Sequence, residues 1–292
     1  MSRCLVLVGA ARSGTKLLRD LIAEHPAVDR VPYDVNYIWR LGNDSVPHDE
    51  LGVELATPRV RARIRRHILN FSRGAPWLVE KTVSNTLRVD FVDAVFPFPD
   101  ALYVHLVRDG RDVAESAARQ WTAPPDWGAM LRKLPGFPLS MIGGYGMRYA
   151  AAALRRATGR DVVHAAPVWG PAHRDIQHDL TTRPLLDVCA LQWQASVLRA
   201  FEAFDRMDPN RVLFLRYEDL VRDSASEVGR IWQWLALEPV ALPSPSPSLH
   251  ATASHIGRGR LAVDPEVGAR IEGLMARGLA RCGYTVTPTR AL

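Results

Sequence analysis

Lysine is nearly absent from this 292-residue sequence. Of its 37 lysines and arginines, all but Lys16, Lys81 and Lys133 are arginine. A guanidinium offers a planar fork of donors that matches phosphate and sulfate oxygens, so the excess suits an anionic ligand. Genome composition alone produces the same excess on a solvated surface. Cysteine is also scarce. Cys4, Cys189 and Cys282 are odd in number, far apart and without a CxxC pair, which argues against a disulfide framework and a zinc site. No apolar run approaches the length of a membrane span, so no integral membrane segment is expected. After Met1-Ser2-Arg3 the chain runs at once into Cys4-Leu5-Val6-Leu7-Val8, and a glycine-bearing loop stands where a leader would carry a cleavage site. A cytoplasmic location follows as the expectation. The net charge of +6 comes with no recognition motif, so nucleic acid is not an expected partner. Internal repeats are missing too, which excludes a solenoid.

What is present is the material of a globular core, 47% hydrophobic against 23% charged. Cys4–Val8, Trp77–Val79, Leu102–Val107 and Val212–Leu215 are apolar without alternation, as parallel strands covered on both faces must be. Helical patterns separate them. Leu17, Leu18, Leu21 and Ile22 share a face of a helix starting near Gly14, and Val60, Ile64, Ile68 and Phe71 stripe a second. Another follows Arg108. Ser224 to Glu227 reads as a capping box opening a helix through Leu235, and Asp264-Pro265 as an N-cap with proline at the first helical position. The alternation predicts an α/β fold of three layers: a P-loop-like central parallel sheet, with helices on both faces. One domain, 1–292, is expected. Within it, residues 121–182, rich in Gly, Pro and aromatics, read as an irregular acceptor-facing insertion. Pro239–Ser248 reads as a tether to a C-terminal lid segment and helix over 249–292.

The first strand ends in Gly9-Ala10-Ala11-Arg12-Ser13-Gly14-Thr15-Lys16 and feeds a helix. A small-residue turn at a helix N-terminus aims free N–H groups and the positive end of the helix dipole at one spot, an anion cradle. The spacing mimics a Walker A motif, but Gly14 is followed by Thr15 and then Lys16, and a basic residue, Arg12, precedes the glycine. A later strand ends at Arg108, with Ser116 eight residues on. In open parallel sheets ligands collect at the carboxyl ends of strands. One guanidinium and one hydroxyl there can grip a phosphate that ATP lacks.

Arg12-Ser13-Gly14-Thr15 with its helix and His25-Pro26, together with Arg108 and Ser116, resembles the PAPS-dependent sulfotransferase family. PAPS is 3′-phosphoadenosine-5′-phosphosulfate. The resemblance is nearest to the tyrosylprotein and bacterial carbohydrate branch. It spans the first 120 residues well, the last 80 loosely and the middle poorly. It implies transfer of a sulfuryl group from PAPS, bound as co-substrate without a metal, to a hydroxyl-bearing acceptor. It places Arg12, Ser13, Gly14, Thr15 and Lys16 at the 5′-phosphosulfate, and Arg108 and Ser116 at the 3′-phosphate. Tyr217, in Leu215-Arg216-Tyr217-Glu218-Asp219, falls by the adenine. Arg258, in Ser254-His255-Ile256-Gly257-Arg258-Gly259-Arg260, falls on the segment that closes over the 3′-phosphate, with Gly259 where relatives often carry tryptophan.

Lys81, after the second apolar run, is implied at the leaving group, sharing that work with Arg12. Cytosolic small-molecule enzymes of the family carry a histidine two residues after this lysine, and here that position is Val83. The other branch uses a carboxylate downstream of His-Pro, which Asp34 in Val31-Pro32-Tyr33-Asp34 supplies. Asp34 is therefore the expected base, with His164, His173 and His255 as alternatives. Trp121, Trp127, Tyr145, Tyr149, Trp169 and Trp193 offer rings for a sugar or aryl acceptor, or for the core. Arginines around the Val60–Phe71 stripe serve an acidic polymer or simply face water. A nucleotide kinase of P-loop fold remains an alternative, with Glu80 the one residue placed to hold its metal. So does a non-catalytic nucleotide-binding protein of the same fold.

Overall fold

Side chains alternate faces along a strand, so a strand covered on both sides must be apolar throughout. In β1 (Arg3–Val8), Cys4, Val6 and Val8 join one core while Leu5 and Leu7 join another, and all five are buried. The structure is a computed structural model that describes residues 2–123, 168–242, 254 and 256–286. Its sheet also contains β2 (Val28–Arg30), β3 (Trp77–Glu80), β4 (Ala101–Val107) and β5 (Val212–Arg216). All pairings are parallel, in the order β2-β3-β1-β4-β5. Four strands coincide with the predicted apolar runs. The fifth, β2, is three edge residues of which only Val28 is buried, too short and too polar to form a run.

Among the described residues the helices are, in chain order, α1 (Thr15–Ile22), α2 (Asn36–Trp39), α3 (Pro58–Leu69), α4 (Val89–Val95), α5 (Gly110–Thr122), α6 (Ile176–Thr182), α7 (Leu185–Phe204), α8 (Tyr217–Arg222), α9 (Ser224–Trp234), α10 (Arg258–Leu261) and α11 (Pro265–Arg281). One face of the sheet is covered by α2, α3, α4 and the end of α7, the other by α1, α8 and α9. A third cluster, from α5, α6, α7 and α11, flanks the β4 end. This is the predicted three-layer α/β architecture. The order reverses at β1, between β3 and β4, so the connections after β1 and its neighbours diverge and leave a crevice at the strands' carboxyl ends.

Helix starts follow local chemistry. Thr57 accepts from the Val60 N–H with Pro58 at the first helical position; Asp264 accepts from the Glu266 N–H with Pro265 at that position, the cap predicted for this helix. The Ser224 capping box is corrected. Asp223 caps α9 by accepting from the Ser226 N–H, and Ser224 turns back to donate to the Leu220 carbonyl. A carboxylate accepts an N–H more strongly than a hydroxyl does, so the earlier residue wins. Two acceptor-side candidates are also placed elsewhere. Trp121 and Trp193 are buried in the third cluster, and the Trp193 ring N–H donates to the Arg108 carbonyl. Trp127, Tyr145, Tyr149, His164, His255 and most of the Pro239–Ser248 connector lie outside the described residues.

Candidate active site

The turn after β1 is held open by close approaches that tolerate no side chain. A Cβ on Gly9 would meet the Leu106 carbonyl at 2.5 Å, and one on Gly14 would meet the Tyr217 ring at 2.4 Å. Gly14, the residue before α1, is left-handed at φ 89°, which glycine adopts without strain, and Arg12 at φ 68° shares that conformation. Thr15 begins α1 and is buried, while Lys16 beside it is exposed. Ser13 is fully buried, and its hydroxyl has no hydrogen-bond partner among the described residues. An orphaned hydroxyl in a tightly packed glycine-bearing turn at a helix N-terminus fits an anionic oxygen group.

Beside the loop, residues distant in sequence converge. Arg12 Nε donates to Ser116 Oγ at 2.9 Å, and Arg108 Nη1 donates to the Arg12 carbonyl at 3.1 Å. The Arg108 guanidinium also lies over the Tyr217 ring, 4.3 Å from its centroid. Partial desolvation, and then the charges of Arg108 and Arg119, lower the Arg12 pKa from its ordinary value. Such a pair of cations gains from a shared anion. Tyr217 is buried between Gly14 and Arg108, so its ring props the loop from below.

The 256–261 segment docks on the start of α5. Asp112 Oδ2 accepts from the Gly257 N–H at 2.8 Å and Oδ1 from the Gly259 N–H at 2.7 Å, while Arg108 Nη2 stands 3.8 Å from Oδ2. A Cβ on Gly259 would meet the Arg111 carbonyl at 2.2 Å, so glycine here is a packing requirement. Arg258 between them is exposed.

Across the crevice, Lys81 follows β3 directly, and its Nζ lies 3.6 Å from Asp34 Oδ2. Asp34 Oδ2 also accepts from the Val83 N–H at 3.0 Å, and Oδ1 from the Asn36 N–H at 3.2 Å. Asp34 thus caps the turn into α2 and meets Lys81 at once. The buried Arg19 of α1 donates to the carbonyls of Val31 and Pro32 and anchors the segment leading to Asp34. Nothing in an amphipathic helix pattern marks that arginine as inward-facing. His25 accepts from the Ala27 N–H, and its other ring nitrogen bonds the Glu238 carbonyl, so it fastens the fold. His173 is engaged with Asp179 at 2.9 Å.

Beneath Lys81 runs a buried polar network that no sequence motif announces. Glu80 accepts from Trp39 Nε1, Thr82 Oγ1 and Asn85 Nδ2. Asn85 accepts from Arg88, Arg88 donates to Asn36, and Asn36 donates to Asp49. Asp49 reaches Ala172 twice, its N–H donating to the Ala172 carbonyl and its carboxylate accepting from the Ala172 N–H. Burial pushes the Glu80 carboxyl up to about 7 and the Arg88 guanidinium down to about 10. Burial also pushes Asp49 upward, but Arg88 and bonds from Ala172, Asn36 and Ser84 hold it below its ordinary value.

A family model described as the sulfotransferase family matches residues 5–134 and 154–241, well over half of the chain. No protein of curated function matches. Solved structures share the fold at low identity. The sulfotransferase domain of the curacin biosynthetic pathway is 14% identical, with a TM-score of 0.51, over 98% of this chain and 99% of that one. The sulfotransferase domain of the Synechococcus PCC 7002 olefin synthase is 16% identical, with a TM-score of 0.55, over 98% and 96%. A sulfotransferase from Alicyclobacillus acidocaldarius is 17% identical, with a TM-score of 0.50, over 98% and 97%.

Proposed function

The chain belongs to the sulfotransferase family, and on that premise we propose that it moves a sulfuryl group from PAPS to a hydroxyl of a carbohydrate, natural-product or other small acceptor. The supporting observation is the convergence of Arg12, Ser116 and Arg108, from two strand ends, beside a loop with a buried unpartnered hydroxyl. When bound, the donor supplies an electrophilic sulfur and a bisphosphate leaving group.

The chain's own residues then have separable tasks. Ser13, Gly14, Thr15 and Lys16 take the 5′ end at the helix N-terminus, and Arg108 with Ser116 takes the 3′-phosphate. Arg12 now donates to Ser116 and is the cation free to turn toward the sulfuryl oxygens. Tyr217 supports the loop and Arg108 from beneath, and the segment bearing Arg258 closes the site over α5. Asp34 takes the proton of the attacking hydroxyl as the new S–O bond forms and the bond to the leaving phosphate oxygen breaks. That proton neutralises the carboxylate paired with Lys81, and the ammonium becomes available to the departing oxygen. The work is positioning and charge stabilisation, as in phosphoryl transfer.

In this reading 1–292 is one domain, with 121–182 as the acceptor-facing insertion and 249–292 comprising the lid segment and the core helix α11. Three free, buried cysteines are consistent with a cytoplasmic setting. The kinase alternative loses its metal ligand, because Glu80 is fully buried and already accepts three hydrogen bonds. The test is donor labelled in its sulfuryl group, incubated with the protein and a panel of phenols, sugars and primary alcohols. Label passing to a hydroxyl, with adenosine 3′,5′-bisphosphate released in equal amount, is the expected result. Transfer of phosphate from ATP with magnesium, and none of sulfur, would replace this reading with the kinase one.

A further inference from the structure

We propose that Glu80 is a positioning residue for sulfuryl transfer, holding Asp34 and Lys81 in register through Thr82; this rests on the roles assigned to that pair above. Two hydrogen-bonded stitches join the segment 34–35 to the segment 80–83. In one, the Val83 N–H donates to the Asp34 carboxylate at 3.0 Å. In the other, the Val35 N–H donates to Thr82 Oγ1 at 3.2 Å, and Thr82 in turn donates to Glu80 Oε1 at 2.5 Å. Lys81 lies between these stitches, with its Nζ 3.6 Å from Asp34.

The hydrogen bonds to Glu80 favour an ionised carboxylate, while its burial opposes one. The Trp39 ring N–H, the Thr82 hydroxyl and the Asn85 amide all donate to it, and a carboxylate is acceptor-only. A proton placed on Glu80 needs an acceptor, and of its three neighbours only the Thr82 hydroxyl can turn round. Thr82 would then accept from both Glu80 and Val35 and lose its bond to the carboxylate. The second stitch slackens, and with it the backbone next to Asp34.

Burial raises the Glu80 pKa to about 7, so this exchange falls in the working range. The charged groups facing it are Asp34, which raises its pKa further, and Lys81, which lowers it. Arg88 reaches it through Asn85, and Arg88 is in turn held by Asp49 beside Arg40. From β1 faces Cys4, whose own pKa burial and then Glu80 hold well above its ordinary value.

Three lysines make the test direct. Protein labelled at lysine Cε shows one resonance each for Lys16, Lys81 and Lys133, and loss of a signal in Lys81→Arg identifies Lys81. In wild type the Lys81 resonance is expected to shift in one step near pH 7, with the other two flat. Glu80→Gln should abolish the step and leave affinity for adenosine 3′,5′-bisphosphate unchanged. Asp34→Asn should move the midpoint down by about one unit, and Thr82→Val should move it up by a similar amount. These two variants keep Glu80, so they decide the matter even if Glu80→Gln fails to fold.

A purely structural Glu80 predicts no opposed displacements. A flat Lys81 resonance, or a step that survives Glu80→Gln, overturns the positioning role. Bisphosphate binding on the same samples separates the two failures. Binding without a step defeats this inference alone, and a step without binding defeats the sulfotransfer reading and the inference with it.

Discussion

On the β4 side of the crevice Arg12 donates to a hydroxyl, Arg108 donates to the Arg12 carbonyl and lies over a tyrosine face, and the nearby carboxylate, Asp112, accepts two N–H groups of the 256–261 segment while standing 3.8 Å from Arg108. On the β3 side the one ammonium already stands against a carboxylate, above a second that is wholly buried. The first side sets two guanidiniums beside the loop, with Asp112 3.8 Å from Arg108, and is suited to bind. The second is internally balanced, so its charge changes only when a proton moves. Binding strength should therefore reside with β4 residues and turnover with β3 residues.

The largest effect that could break this division is expected at Arg108. Arg108→Ala should weaken adenosine 3′,5′-bisphosphate binding about a hundredfold, roughly 3 kcal/mol, the upper range for charge-assisted hydrogen bonds. Binding of ADP, measured by the same calorimetry, should change little. Equal losses for both ligands would mean that Arg108 does not read the 3′-phosphate.

Lys81→Ala should slow release of the bisphosphate from the donor by about a hundredfold, in the range seen when one transition-state donor is removed. Its affinity for the bisphosphate should stay near wild type. Turnover equal to wild type would remove Lys81 from the reaction.

A stability measurement sharpens the β3 half. The Glu80 pKa is raised from 4.5 to about 7 on folding, so the folded state binds the proton more tightly than the unfolded one. Stability from this group is present below pH 4.5 and is lost as pH rises toward 7, by about 3 kcal/mol at 1.36 kcal/mol per unit. Across that window the heat-unfolding midpoint of wild type should fall relative to Glu80→Gln, which has no proton to lose. Parallel midpoints would show that Glu80 does not titrate there. The ionised form that holds Thr82 is thus the less stable one, a cost tolerated at a functional site.

The smallest effect belongs to the lid. Gly259→Ala forces its Cβ against the Arg111 carbonyl and displaces the 256–261 segment. Bisphosphate should dissociate several-fold faster in stopped-flow measurements, since close-packed sites accommodate an added methyl at a cost of about 1–3 kcal/mol. An unchanged dissociation rate would separate the segment from the donor site.

The β4 half was legible in the sequence because each part of it is local. Gly9–Lys16 is one continuous turn, Arg108 and Ser116 sit on one strand end and its helix, and four strands are long enough to show as apolar runs. Of the β3 half, Lys81 and Asp34 were named from the sequence, but the buried network beneath them joins residues that no local motif links. Glu80 meets Trp39 across 41 positions, and Arg88 meets Asn36 across 52. Each of these is an ordinary residue type in its own stretch, and β2 beside them is too short for periodicity to register. Tyr217 was found as part of a motif, but its burial against Gly14 could be seen only once α8 was placed against the loop. For Trp193 the sequence left acceptor site and core both open, and α7 turns the ring into the core.

Calorimetric titration of the protein with adenosine 3′,5′-bisphosphate and, separately, with ADP, both without magnesium, tests the central claim most directly. The account predicts that the bisphosphate binds at least tenfold more tightly, a gap of about 1.4 kcal/mol. Equal affinities, or a preference for ADP, would contradict the assignment of Arg108 and Ser116 to a 3′-phosphate.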